Sequence, residues 1–558
     1  MTSQDSATTP TRASTTLYTG GRVHSPADPS ATALAVQDGV VVWLGQDSVG
    51  RSLHADADVV DLDGAFVAPA FVDAHVHATS AGLLRVGLDL TGARTLADCL
   101  TMVTAHVRAT GHPLVWGHGW DETTWPENRP PTRAEVDAAA GGAAVYLSRV
   151  DVHSALVSTA LLDRAPGVTA ADGYHPDGPL TRDAHHRVRR AAQDAITPAQ
   201  RDEAQLEFLR HAAAQGIACV HECAGPDISG ADDLTALLAR AGGDLPEVVG
   251  YWGEIGPAEL AVRHRVRGLA GDLFVDGALG SRTAALCSPY ADADTSGALY
   301  LEAAAIAEHL AVCTEAGIQA GFHVIGDAAT AEVIAGFALA ERRVGLPALA
   351  GSRHRLEHLE MVTPEQAGQL GQWGVVASVQ PQFDAAWGGP DGMYATRLGV
   401  DRGTSLNPYA QLVAAGVVLA LGSDAPVTRV DPWASVRAAV NHRTDGAGLS
   451  PRAAFTAHTR GGWRAAGVDD GLTGTLVPGA PATFAVWDAP ELVVAVPDDR
   501  VRRWSTDPRS RVPGLPPMDS GAPQPTCLRT VLRGRTIFNR TSHDRTSHDS
   551  GGSRSATT

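Results

Sequence analysis

Two histidines one residue apart, His75 and His77, follow the apolar stretch Phe71-Val72. On a β-strand, alternation puts both imidazoles on one face and Val72, Ala74 and Val76 on the other, so the two rings can converge on one metal ion. Four more apolar runs also end in polar residues. His221 and Glu222 follow residues 217–220, His323 follows 319–322, His358 follows Arg355-Leu356-Glu357, and Asp424 closes 419–423. Any one such histidine fits equally well as a hydrogen-bonded core or helix-cap residue. Five runs ending this way in one chain point instead to groups gathered at the carboxyl ends of parallel strands, where catalytic residues of barrels assemble.

Parallel strands are what the surrounding sequence predicts. Between residues 68 and 465, Ala-rich amphipathic helices alternate with short apolar runs, several preceded by glycine: Gly216 before 217–220, Gly317 before 318–322, Gly374 before 375–379 and Gly416 before 417–421. Helix, glycine cap, buried strand is the rhythm of βα units. About eight such units close economically into a (β/α)8 barrel, although periodicity alone leaves an open doubly wound sheet as the alternative. The flanks read differently. Residues 15–67 and 466–539 carry β-branched runs broken by turns, among them Asp38-Gly39 between Leu34-Ala35-Val36 and Val40-Val41-Val42, a strong hairpin signal. The expected organisation is one small β-sandwich built from both flanks around the 68–465 barrel. Tails at 1–14 and 540–558, poor in apolar residues, are expected to be disordered. The repeated Thr-Ser-His-Asp at His543 and His548 reads there as solvated side chains.

His75-Val76-His77, the segment 322–329 around His323, Arg355-Leu356-Glu357-His358 and the segment 421–427 around Asp424, in that order, resemble the amidohydrolase superfamily. With Gly119-Trp120-Asp121-Glu122 and the segment 276–284, they are similar to its YtcJ-like, type 3 branch. The resemblance spans about residues 17–538, split sandwich included. It implies that His75, His77, His323 and His358 are metal ligands, and that Asp424 is both a ligand and the base that takes the proton of water. Such ligands suit Zn²⁺, which brings the pKa of a bound water to about 7 and polarises a carbonyl oxygen. Mn²⁺, Fe²⁺ and Co²⁺ accept the same set.

One departure stands out. Where family members often place a carboxylated, bridging lysine, this chain has Asp272 in Asp272-Leu273-Phe274-Val275-Asp276-Gly277. An aspartate there is several bonds shorter and is expected to fall short, leaving one tightly held metal unless Glu222 serves as a further ligand. Trp120, Asp121, Arg282 and Asp327 sit in segments expected to rim the barrel mouth and to contact substrate. Trp120 reads equally as loop packing, and Arg282 as the partner of a local acid.

Composition bounds the rest. With 44 Lys and Arg against 62 Asp and Glu, the net charge is −18, and no basic run is available to follow a phosphate backbone. Nucleic acid is excluded as an expected partner. The amino terminus lacks a signal-peptide pattern, and no apolar stretch reaches membrane-spanning length, so a cytoplasmic protein without membrane association is expected. Six scattered cysteines read as reduced, mostly buried thiols. The expected activity is hydrolysis of a non-peptide C–N bond in a small molecule: an amide, formamide or cyclic amide. The alternatives are a mononuclear deaminase of an amino-heterocycle and, further off, a non-catalytic barrel scaffold. The sequence is also compatible with a homo-oligomer.

Overall fold

A computed structural model describes residues 14–122, 125–149, 154–226, 228–494 and 513–540. The expectations for the two tails, including His543 and His548, lie outside the described residues.

Eight strands form one parallel sheet whose spatial order follows the chain: β1 Phe71–Val76, β2 Ile217–Ala224, β3 Glu247–Trp252, β4 Gly268–Leu269, β5 Gln319–Val324, β6 Arg355–His358, β7 Val376–Val379 and β8 Val418–Leu421. The ring closes between its first and last strands. Val76 pairs in parallel with Ala425, His77 N–H donates to the Ala425 carbonyl at 2.8 Å and Asp424 N–H to the His75 carbonyl at 2.8 Å. The fold is a (β/α)8 barrel, which settles the choice against an open sheet. Gly422 makes the closure possible, because a Cβ there would lie 2.6 Å from the His75 nitrogen.

Helices such as Pro198–Ala214, Asp327–Val344 and Pro364–Gln372 surround the ring. Two of them start with capping boxes, Thr197 with Gln200 and Thr363 with Gln366, which satisfy otherwise unpaired N–H groups. Gly216, Gly317, Gly374 and Gly416 all take positive φ between helix and strand, as the helix-to-strand rhythm requires. The core between ring and helices is apolar, with Phe71, Phe208, Phe322, Trp433 and Trp487 buried.

Both flanks combine as expected. Phe66–Pro69 pairs antiparallel with Phe484–Asp488, which pairs with Thr526–Leu532 and then Arg535–Asn539. Against this five-stranded sheet packs a four-stranded one in the order Val40–Gly45, Ala33–Gln37, Thr15–Thr19, Asp58–Asp61. Its hairpin turns at Asp38 (φ 50°) and Gly39 (φ 78°), both left-handed as the Asp-Gly signal demands.

One element is new. Between β1 and β2 the chain builds a separate five-stranded sheet in the order Leu180–Thr181, Ser154–Val157, Ala144–Arg149, Leu114–Trp120, Leu88–Asp89. Alternate residues serve opposite faces: Leu114, Trp116 and Tyr146 pack into one apolar cluster, Val115, Val145 and Leu147 into another.

All six cysteines are free, with only Cys287 exposed. Among the described residues no helix is long and apolar enough to cross a membrane.

Candidate metal centre

The carboxyl ends of β1, β5, β6 and β8 deliver His75 and His77, His323, His358 and Asp424 to one buried pocket. Asp272, three residues past β4, stands at its centre. Asp272 Oδ1 lies 3.5 Å from His75 Nε2, 3.5 Å from His323 Nδ1 and 3.6 Å from His358 Nε2, and Oδ2 lies 3.1 Å from His77 Nε2. Asp424 Oδ1 lies 3.4 Å from His75 Nε2 and 3.3 Å from His77 Nε2. The expectation that Asp272 falls short is therefore corrected. The side chain is short, but β4 is only two residues long and the chain beyond it turns inward at Gly271 (φ +85°), so the backbone supplies the reach.

Three of the histidines have their tautomer set from outside the pocket. His75 Nδ1–H donates to Glu357 Oε2 at 2.9 Å, His358 Nδ1–H to Gln380 Oε1 at 2.8 Å, and His323 Nε2–H to the Gly277 carbonyl at 3.1 Å. Each ring thus commits its outer nitrogen as a donor and turns the other nitrogen inward, the arrangement that metal-ligating histidines take from their surroundings. Inside, His75 Nε2, His323 Nδ1, Asp272 Oδ1 and Asp424 Oδ1 are buried without a hydrogen-bond partner. Lone pairs facing lone pairs in a buried pocket call for a positive charge between them. The groups His75–Asp272–His358 and His75–His77–Asp424 each bring their ligand atoms within 4.8 Å of one another, so these residues fit a divalent cation.

Electrostatics state the same demand. Burial opposes charge on His77, yet the Asp272 and Asp424 carboxylates raise its pKa to about 10. Burial likewise works against an ionised Asp272, but the surrounding histidines, His75 foremost, hold it well below the usual carboxylate range. His358 (φ 68°) and Asp424 (φ 53°) both occupy left-handed backbone, a conformation disfavoured for non-glycine residues and typical of functional sites.

The other predicted residues make different contacts. Glu222 Oε2 accepts from Ala78 N–H at 2.7 Å, just behind His77, and burial raises its pKa to about 7. His221 faces the barrel interior, where its Nδ1 accepts from Arg355 at 2.8 Å. Trp120, expected at the mouth, belongs to the inserted sheet, fully buried with its indole N–H on the Leu147 carbonyl at 2.9 Å. Asp121 pairs with Arg149 at 3.0 Å. Arg282 grips Asp292 through two bonds of 2.9 and 2.8 Å, the local-acid alternative. Asp327 Oδ1 accepts from Cys287 N–H at 2.9 Å. Sequence reasoning missed Asp272 as a member of the cluster and missed the buried Arg355–Glu357 pair beside it. The signal for the latter was the i, i+2 spacing of Arg355 and Glu357 on one strand face, directly before His358.

The chain is similar to several known proteins. The sequence model of the Amidohydrolase family matches residues 58–538. The chain is 26% identical over 459 residues to YtcJ of Bacillus subtilis (strain 168), covering 76% of this chain and 83% of that one. It is 24% identical over 461 residues to an N-substituted formamide deformylase of Arthrobacter pascens, covering 76% and 83%. Among solved structures, an uncharacterized metal-dependent hydrolase from Pyrococcus furiosus superposes with a TM-score of 0.71 at 25% identity, covering 85% of this chain and 98% of that one. With the barrel and a family match that runs through nearly all of it, the chain belongs to the amidohydrolase family.

Proposed function

We propose that this amidohydrolase cleaves a non-peptide C–N bond of a small molecule, an amide, formamide or cyclic amide, with His75, His77, His323, His358, Asp272 and Asp424 holding divalent metal. The observation that carries the reading is the set of unpartnered ring nitrogens and carboxylate oxygens facing one another, with the ring protons directed outward. A bound cation supplies Lewis acidity toward the substrate carbonyl and acidifies water to a pKa of about 7. Zn²⁺ is the first candidate.

Asp424 is the residue to move the proton. Its Oδ1 has no hydrogen-bond partner and its position is fixed by its backbone bond to His75. As general base it takes a proton from the attacking water, and as acid it returns that proton to the departing nitrogen. The products are a carboxylic acid and an amine, or one ring-opened amino acid from a cyclic amide. Asp272 takes the place of the bridging lysine. Its two oxygens address different histidines, Oδ2 toward His77 and Oδ1 toward His75, His323 and His358, so Asp272 would hold metal together with these rings. The formamide deformylase relative makes N-formyl compounds the first substrates to test.

The test is metal analysis of the purified protein with a hydrolysis screen over N-acyl, N-formyl and cyclic amide compounds. Amine and acid release that requires the metal supports the reading. Ammonia release from amino-heterocycles, with no amide hydrolysis, would replace it with the deaminase reading.

A further inference from the structure

Beneath the histidine cluster, inside the barrel, lies a buried ion pair. Arg355 and Glu357 sit on the same face of β6, both with 0% exposure. Arg355 bonds Glu357 Oε1 through Nε and Glu357 Oε2 through Nη2 at 3.0 Å. The same guanidinium reaches the Ala74 carbonyl, Ser378 Oγ at 3.1 Å and His221 Nδ1 at 2.8 Å. Its carbon lies 4.4 Å from the Tyr251 ring centroid, and the Tyr251 hydroxyl is itself held by Gln319 Oε1 at 3.0 Å. Glu357 Oε2 is the atom that accepts the His75 ring proton.

We infer that Arg355 and Glu357 are positioning residues for metal binding, Glu357 aiming His75 Nε2 into the pocket through its Nδ1–H bond and Arg355 holding both Glu357 oxygens in place. The inference rests on reading the histidines as metal ligands. Two physical points support it. A buried ion pair is no more stabilising than apolar side chains of the same volume, so stability alone gives no reason for charges in this layer, whereas the bond to His75 does. A carboxylate acceptor also makes the imidazole a stronger electron donor than a neutral acceptor would, and outer partners of this kind are worth 10–100-fold in metal affinity. Arg355 is itself held by the Ser378, Ala74 and His221 contacts and by Tyr251, which fixes the guanidinium that bonds both Glu357 oxygens.

The test is Co²⁺ affinity of the full chain by chelator competition, followed through the Co²⁺ absorption spectrum, alongside thermal unfolding of the metal-free protein. Glu357→Gln is expected to weaken Co²⁺ binding about 10–100-fold and to alter the spectrum. Because that variant leaves Arg355 buried without a counter-ion and can unfold, Arg355→Met with Glu357→Gln is the deciding form. It is expected to keep its metal-free melting temperature within a few degrees and still bind Co²⁺ at least about tenfold more weakly. A folded double variant that binds Co²⁺ as tightly as wild type overturns the inference. Failure of the metal reading shows differently: wild type would bind no Co²⁺, or His75→Ala would bind it unchanged.

Discussion

Asp424 meets His75 twice, through a 2.8 Å backbone bond to its carbonyl and through Oδ1 placed 3.4 Å from its ring Nε2. The backbone contact belongs to the barrel seam and the side-chain contact to the proposed metal centre, so one can be changed without the other. Asp424→Asn keeps the seam and removes the base. It is expected to lower kcat by several orders of magnitude with an unchanged melting curve, measured on the substrate found in the screen. A loss below about tenfold would take Asp424 out of the proton-moving role.

Chelation should abolish turnover, and added divalent ions should restore it. The same ions should raise the melting temperature with concentration, because a ligand bound only by the folded chain stabilises it by mass action. Full activity in rigorously metal-free protein would sink the central reading.

Metal content separates the two candidate carboxylates. Asp272 lies among all four histidines, whereas Glu222 spends one oxygen on the Ala78 amide. Asp272→Asn is therefore expected to reduce the metal bound per chain, and Glu222→Gln to leave it unchanged, both read by elemental analysis. The reverse result would make Glu222 the bridging group.

The acid limb of stability should depend on His458. Burial lowers its pKa from 6.5 to about 4, against the bond of its Nδ1–H to the Val72 carbonyl. The unfolded chain binds this proton at higher pH than the folded chain does. Its contribution is complete above pH 6.5 and is lost as pH falls toward 4. Between pH 7 and 5, wild type should lose on the order of 1–2 kcal/mol more than His458→Gln does, measured by urea unfolding. Parallel losses would assign the acid sensitivity elsewhere.

Cutting the chain at Gly471 should be destructive. It removes Phe484–Asp488 and Thr526–Leu532, the strands that complete the sheet begun by Phe66–Pro69. A stable, active product would mean that the sandwich is dispensable.

Much of this was legible from residue types. His75, His77, His323 and Asp424 close largely apolar runs, His358 closes the short segment Arg355-Leu356-Glu357, and four glycines mark the turns that precede strands. The inserted sheet was not, because Leu114-Val115-Trp116 and Ala144-Val145-Tyr146 alternate between two apolar layers and carry the same signal as a barrel strand. Trp120 was misplaced for that reason. Asp272 was misjudged because side-chain length was weighed while the inward turn at Gly271 was invisible. Arg355 escaped because a charged residue inside a strand is ordinarily read as exposed, and only its neighbours across the ring reveal what compensates it.

The seam between β1 and β8 also sets an order of events during synthesis. The strand bearing His75 leaves the ribosome with its β2 partner still far behind, and its other neighbour, the segment at Asp424 and Ala425, emerges later still. Until then the nascent sheet has a bare edge at β1, and the sandwich strand Phe66–Pro69 waits for Phe484–Asp488. Pairings this distant in sequence are slow to form and leave edges open to other chains. Translation must pass Asp424 and Ala425 before the ring can shut, and only then can His75, His77, His323, His358 and Asp424 come together.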